Sequence, residues 1–154
     1  LRGLYIIKSE TNKKKMEFLG NIFTHYNYTT TAIQQKTTEN TTEITSEQSG
    51  FKIHIENTEE EIGLPKKSPF TTWKEARRFA GPLPFTFTYN KPKKEVLIIE
   101  GVRSNWQPSP IKVLEHSVSF IDSMNLKGVV LANSFKVEHI PYSWKKGKKD
   151  IWTP

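Results

Sequence analysis

"PFTFTYNKPKKEVLIIEGVR", residues 84–103, holds the pairing that decides the fold. Phe85, Phe87 and Tyr89 alternate with Thr86 and Thr88, the period of two expected of a strand with chemically different faces. NKPKK (90–94) ends that alternation with a proline among lysines and reads as a turn. EVLIIEGVR (95–103) is apolar almost throughout, which predicts a strand buried on both faces. Together they predict an antiparallel hairpin. Glu100 is the exception in the second strand. A carboxylate there needs a partner or must be held neutral. Arg103 and Trp106 follow at the strand's end. Glu100 and Arg103 form either an internal ion pair that fixes the strand end or a polar grip on a ligand.

Upstream, TTWKEARRFAGP (71–82) predicts a helix. Thr72 and Glu75 make a capping box with Thr72 as N-cap, and Gly81-Pro82 stops the helix. Trp73, Ala76 and Ala80 share one face. The corner that follows, with Phe79, Leu83, Phe85 and Phe87, reads as core architecture. GLYIIKS (3–9) predicts a strand. TNKKKMEFLGNIF (11–23) predicts a short helix with Met16, Leu19 and Phe23 as one apolar stripe and lysines on the other side. HYNYTTTAI (25–33), TTEITSE and FKIHIEN (51–57) predict an antiparallel meander over 25–57 with an exposed tip, and QSG marks the last turn. Lys52, His54 and Glu56 form its wet face. Downstream, IKVLEHSVSF (111–120) predicts a strand with Ile111 and Val113 on one side and Lys112, Leu114 and His116 on the other. KGVVLANSFKVEHIPYSW (127–144) predicts a long closing strand. The expectation is an α+β chain dominated by an antiparallel, curved sheet or barrel with two or three short helices.

No internal repeat or linker divides the 154 residues, so one domain over 1–154 is expected. The start, LRGLYIIKSE, lacks an initiator Met and a signal-peptide pattern, and suggests a fragment missing its N-terminal part. No apolar run approaches the ~18 residues of a membrane span. With no cysteine there is no disulfide, thiolate ligand or cysteine nucleophile, which suits a reducing, cytoplasmic setting. The net charge of +7 permits an anionic partner, but the lysines gather at turns and ends. The aromatics alternate as in a core rather than forming a stacking platform, so nucleic acid is not the expected partner. His25, His54, His116 and His139 are scattered and form no metal-ligand spacing, so no metal or cofactor is expected. NYT (27–29) and NTT (40–42) match the glycosylation pattern without other signs of secretion.

Three stretches, in order, resemble the acetoacetate-decarboxylase-like superfamily, in a branch of uncharacterised bacterial proteins. RGLYIIKSETNKKKMEFLGNIFTHYNY is similar to its strand–helix–strand unit. FAGPLPFTFTYNKPKKEVLIIEGVR is similar to its later hairpin. IKVLEHSVSFIDSMNLKGVVLANSFKVEHIPY is similar to its closing strand, short helix and final strand. The resemblance implies a cone-like β-barrel around a ligand cavity, of which this chain is the C-terminal two-thirds. In the decarboxylases a lysine after the first helix forms a Schiff base and a neighbouring lysine lowers its pKa, a general route to an activated amine. Here Asn27, Tyr28 and Thr29 occupy that Pro-Lys-Lys position, and a tyrosine cannot form an imine. The implied cavity lining includes Tyr26, Tyr28, Glu100, Arg103 and Trp106.

The leading expectation is therefore a small-molecule-binding barrel without Schiff-base chemistry. The alternatives are a lyase acting on a keto acid through a relocated lysine, or a basic nucleic-acid-binding module. Lys66 and Lys67, in IGLPKKSPFTTW (62–73), supply a second Pro-Lys-Lys. They lie between an acidic run and a capped helix, where a loop keeps both ammonium groups hydrated, so the pair reads as a solvated linker.

Overall fold

Residues 2–58, 60, 62–80, 83–104, 106–138, 142–145 and 147–151 of the computed structural model are described, without the side chains of Ala80 and Tyr142. In chain order the elements are β1 (Gly3–Tyr5), β2 (Ser9–Thr11), α1 (Lys14–Thr24), β3 (Tyr28–Thr30), β4 (Gln34–Thr37), β5 (Thr41–Ser46) and β6 (Phe51–Glu56). Then follow α2 (Trp73–Ala80), β7 (Phe85–Asn90), β8 (Glu95–Arg103), β9 (Ser109–Pro110) and β10 (Lys112–Val118). The last are α3 (Ser119–Asp122), β11 (Phe135–Lys136), β12 (Tyr142–Lys145) and β13 (Lys149–Ile151). The chain is mixed α+β, mostly sheet. It divides into two compact units, Leu1–Thr30 with Pro82–Trp106 and His139–Pro154, and Thr31–Gly81 with Gln107–Glu138.

The first unit is organised by the 84–103 hairpin. β7 and β8 pair antiparallel from Phe85↔Glu100 to Asn90↔Glu95, around a turn at 91–94 where Lys94 adopts a left-handed φ of 52°. The far side of β8 is covered in two steps. β12 pairs Glu100–Arg103 and β13 pairs Glu95–Leu97, both antiparallel. The Ile98 N–H donates to the Lys148 carbonyl in between (3.0 Å). β8 is thus flanked on both sides, and Leu97, Ile98 and Ile99 are buried, as a strand apolar on both faces requires. β1 adds a parallel strand against β7.

One face of this sheet, carrying Thr86, Thr88, Leu97 and Ile99, is capped by Tyr26. The tyrosine packs on Leu97 and Ile99, and its hydroxyl hydrogen-bonds Thr86 Oγ1. Thr88 Oγ1 donates to the Thr24 carbonyl (3.0 Å). The threonine face therefore meets this core, closed by hydroxyls whose hydrogen-bonding needs are met internally.

β2, α1 and β3 form a strand–helix–strand unit with the two strands parallel. The predicted 25–33 strand is shorter than expected, Tyr28–Thr30, and pairs with β2 instead of joining the meander. The helix also turns the other way from the sequence expectation. Leu19 and Phe23 are exposed, and the buried positions are Gly20 and Thr24. The reason is local packing. A Cβ on Gly20 would lie 2.7 Å from the Tyr28 ring, so the helix approaches β3 along its smallest face. Polar bonds secure the approach. Asn21 donates to the Tyr28 carbonyl (3.0 Å) and accepts from the Tyr28 N–H (2.5 Å), while Glu17 accepts from the Thr30 N–H (3.1 Å) and hydroxyl.

In the second unit β4, β5, β6 and β10 form an antiparallel sheet in the order β10-β6-β5-β4. Lys52, His54 and Glu56 share one face with Glu43 and Glu115. Lys52 bridges Glu115 at 2.8 Å and Glu43 at 3.8 Å, and Lys112 bridges Glu56 at 2.5 Å. The wet face of β6 was legible from its alternation. The face of β10 was not, because a register shift between Val113 and Glu115 changes its parity. His116 consequently pairs with Ile53 and not with the charged row, and Leu114 is exposed.

α2 begins as the sequence predicts. The Glu75 N–H donates to Thr72 Oγ1 (3.1 Å). The carboxylate of Glu75 also accepts from the Thr71 N–H and hydroxyl, both at 2.9 Å, and these bonds hold its pKa below the usual carboxylate value. Ala76 is fully buried, and the Trp73 indole N–H donates to the Ile62 carbonyl (2.8 Å). Phe79, expected in the core, is exposed and tilts against Phe70 at 5.5 Å. The predicted Gly81-Pro82 stop and the Ala80 side chain lie outside the described residues. Among the described residues of the predicted closing strand, 127–138 and 142–144, only those of β11 and β12 are in strands. β11 pairs only two residues with β9, and Val129 and Val130 are exposed. An apolar run becomes a strand only where a ladder partner is in reach. Among the described residues, the strand pairings leave each sheet open at its edges. Among the described residues, no helix is long and apolar enough to cross a membrane.

Candidate functional site

α1 ends in a conformationally demanding turn. His25 caps the helix with a left-handed φ of 53°, its N–H donating to the Asn21 carbonyl (3.1 Å), and Asn27 is left-handed at 54°. Histidine and asparagine are among the side chains most often found there. The two reversals throw Tyr26, which lies between them, onto the sheet, and deliver Tyr28 beneath Gly20. The Tyr26 and Tyr28 rings are 5.8 Å apart at 50°, and Trp144 stands edge-on to Tyr26 at 6.5 Å.

Of the five residues singled out from the sequence, Tyr26 and Tyr28 are thus brought together. Tyr26 is buried and serves the core, whereas Tyr28 is half-buried. Arg103 and Trp106 also meet, the guanidinium lying 4.6 Å from the indole centroid in a cation–π contact. Glu100 stands apart. The β7–β8 and β8–β12 registers are regular, so side chains alternate strictly along β8. Leu97 and Ile99 face Tyr26, and Glu100, on the other parity, faces away from the tyrosines and from the side that Arg103 takes. The structure does not join Glu100, Arg103 and Tyr28 in one pocket.

A different constellation lies along α1. Lys14, Glu17, Phe18, Asn21, Ile22 and His25 line an open concavity of about 540 Å³. Their spacing places them on one side of a helix and its capping residue. Phe18 and Ile22 give it an apolar floor, Lys14 a cation and His25 an imidazole. Asn21 and Glu17 are held by their bonds to β3. The sequence contained this signal as a helical arc from Lys14 to His25. The arc is hidden because an apolar helix stripe ordinarily faces inward and the 25–33 alternation places His25 on a strand.

Lys66 and Lys67 occupy an exposed turn in the second unit, closed by the Ser68 N–H donating to the Pro65 carbonyl (2.8 Å). Among the described residues, no cluster of three or more histidine, aspartate or glutamate side chains could hold a metal ion.

Compared with known proteins, the chain matches no family model, no curated protein and no solved structure.

Proposed function

We propose that the chain is a small-molecule-binding α+β domain of the acetoacetate-decarboxylase-like type, with a cone-like barrel fold and no Schiff-base chemistry at the family position. The observation that carries the reading is the concavity along α1, which combines an apolar floor with a few convergent polar groups, the usual composition of ligand sites. Lys14 and His25 suit a carboxylate or carbonyl, since each can donate to an oxygen. Glu17 is occupied by Thr30 and opposes such a ligand less than a free carboxylate would. The order of elements, a strand–helix–strand unit followed by the β7–β8 hairpin, agrees with the resemblance to that superfamily. Tyr28, at the position where the decarboxylases carry the reactive lysine, supports binding without imine formation. The cysteine-free sequence supports a reducing, cytoplasmic setting.

Titration of the ¹⁵N-labelled chain with pyruvate tests this. Shifts should concentrate at Phe18, the Asn21 side-chain amide and His25, and weaken in Lys14→Gln. Borohydride added in the presence of pyruvate should leave the protein mass unchanged. Shifts absent from α1 would remove the site. A reduced adduct at Lys66 or Lys67 would favour the keto-acid lyase instead.

A further inference from the structure

α1 presents to solvent the side chains a helix normally hides. Phe18 is 68% exposed, Leu19 49%, Ile22 55% and Phe23 65%. At 100° per residue these four form one continuous stripe, opposite the buried Gly20–Thr24 side. The arrangement is stable because the inner contact is made by Gly20, Thr24 and the Asn21 and Glu17 hydrogen bonds, so the outer apolar side chains contribute little to this unit's packing. Lys13, Lys14 and Lys15 stand at the N-terminal end of the same helix, and Lys15 lies on the stripe itself.

We propose that α1 is an interfacial helix that docks the protein on an anionic lipid surface. An exposed apolar stripe flanked by lysines is the pattern of helices that lie in the plane of a membrane, with the apolar side in the acyl boundary and the ammonium groups among the head groups. The helix is roughly 16 Å long at ~1.5 Å per residue, too short to span a bilayer but long enough to lie along its surface. Charge selects this occupant over a second copy of the chain. Each copy carries +7, so two copies repel overall, whereas an anionic head-group layer attracts the Lys13–Lys15 run. The stripe shares Phe18 and Ile22 with the small-molecule concavity, so the test turns on side chains outside it. Leu19, Phe23, Lys13 and Lys15 are not among the residues lining that concavity.

The test is co-sedimentation of the full chain with vesicles of phosphatidylcholine, with and without phosphatidylglycerol. The wild type should bind the anionic vesicles and bind neutral ones far more weakly, and added salt should release it. Leu19→Ser with Phe23→Ser should reduce binding by about tenfold for each side chain withdrawn from the acyl boundary. Lys13→Gln with Lys15→Gln should reduce it about fivefold per lysine. All four side chains are solvent-facing, so unchanged circular dichroism and melting should certify the fold, and pyruvate shifts at His25 should persist. Equal binding to neutral and anionic vesicles would overturn the proposal, as would anionic binding that the serine variants leave unchanged. A concentration-dependent dimer abolished by the serine variants, without vesicle binding, would overturn it in favour of a second copy.

Discussion

Replacing Gly20 by alanine sets two opposed effects against each other, and the geometry decides which prevails. In a helix interior alanine is favoured over glycine by about 1 kcal/mol. Against this, the new methyl group would lie 2.7 and 2.8 Å from Tyr28 Cδ2 and Cε2, closer than non-bonded carbons approach. The ring cannot retreat freely, because Tyr26 lies on it and Asn21 holds the Tyr28 backbone at both its N–H and its carbonyl. Overpacking of this kind costs about 1–3 kcal/mol. The expected net loss is therefore about 1 kcal/mol, or roughly 2–4 °C in Tm for a chain of this size. Tyr28→Ala supplies the control. With the ring removed, Gly20→Ala should become stabilising by about 1 kcal/mol, so a double-mutant cycle by urea denaturation should give a coupling of about 1–3 kcal/mol. If Gly20→Ala raises stability equally in both backgrounds, α1 does not pack on Tyr28 through Gly20, and its apolar stripe need not face outward.

Ile99→Ala, at the most buried position of β8, should cost about 2–5 kcal/mol by denaturation, and a loss below about 1 kcal/mol would show that β8 is not the centre of its unit. Leu114→Gln should change stability by no more than about 0.5 kcal/mol, because the β10 bulge places Leu114 in solvent, and a larger loss would restore the regular register. The Thr71 and Thr72 bonds lower the pKa of Glu75 from 4.5. Its contribution is then complete above that value and lost as pH falls below it, so the far-UV helix signal should decline on acidification, less so in Glu75→Gln. Lys52 shifts the other way. Its bond to Glu115 raises its pKa from 10.5, so the stability it adds is present below that pH and lost above it, and Lys52→Gln should flatten the alkaline limb of a melting-versus-pH profile.

The sequence by itself determined the elements whose signals are local and whose partners are adjacent. The 84–103 hairpin, the two-sided burial of β8, the alternation of β6 and the Thr72 cap of α2 all follow from period, turn chemistry or capping within a few residues. The proximity of Tyr26 to Tyr28, and of Arg103 to Trp106, was also legible, since each pair is close in the chain. Tertiary structure decided what depends on a distant partner. The outward turn of α1 follows from the fit of Gly20 to a tyrosine on the next strand. The face of Glu100 follows from where Tyr26 lands on the sheet. The parity of β10 follows from one extra residue opposite β6, and β11 extends only over the two residues that pair with β9. In each case the pattern along the chain is compatible with more than one arrangement, and the choice is made by a contact the pattern does not contain.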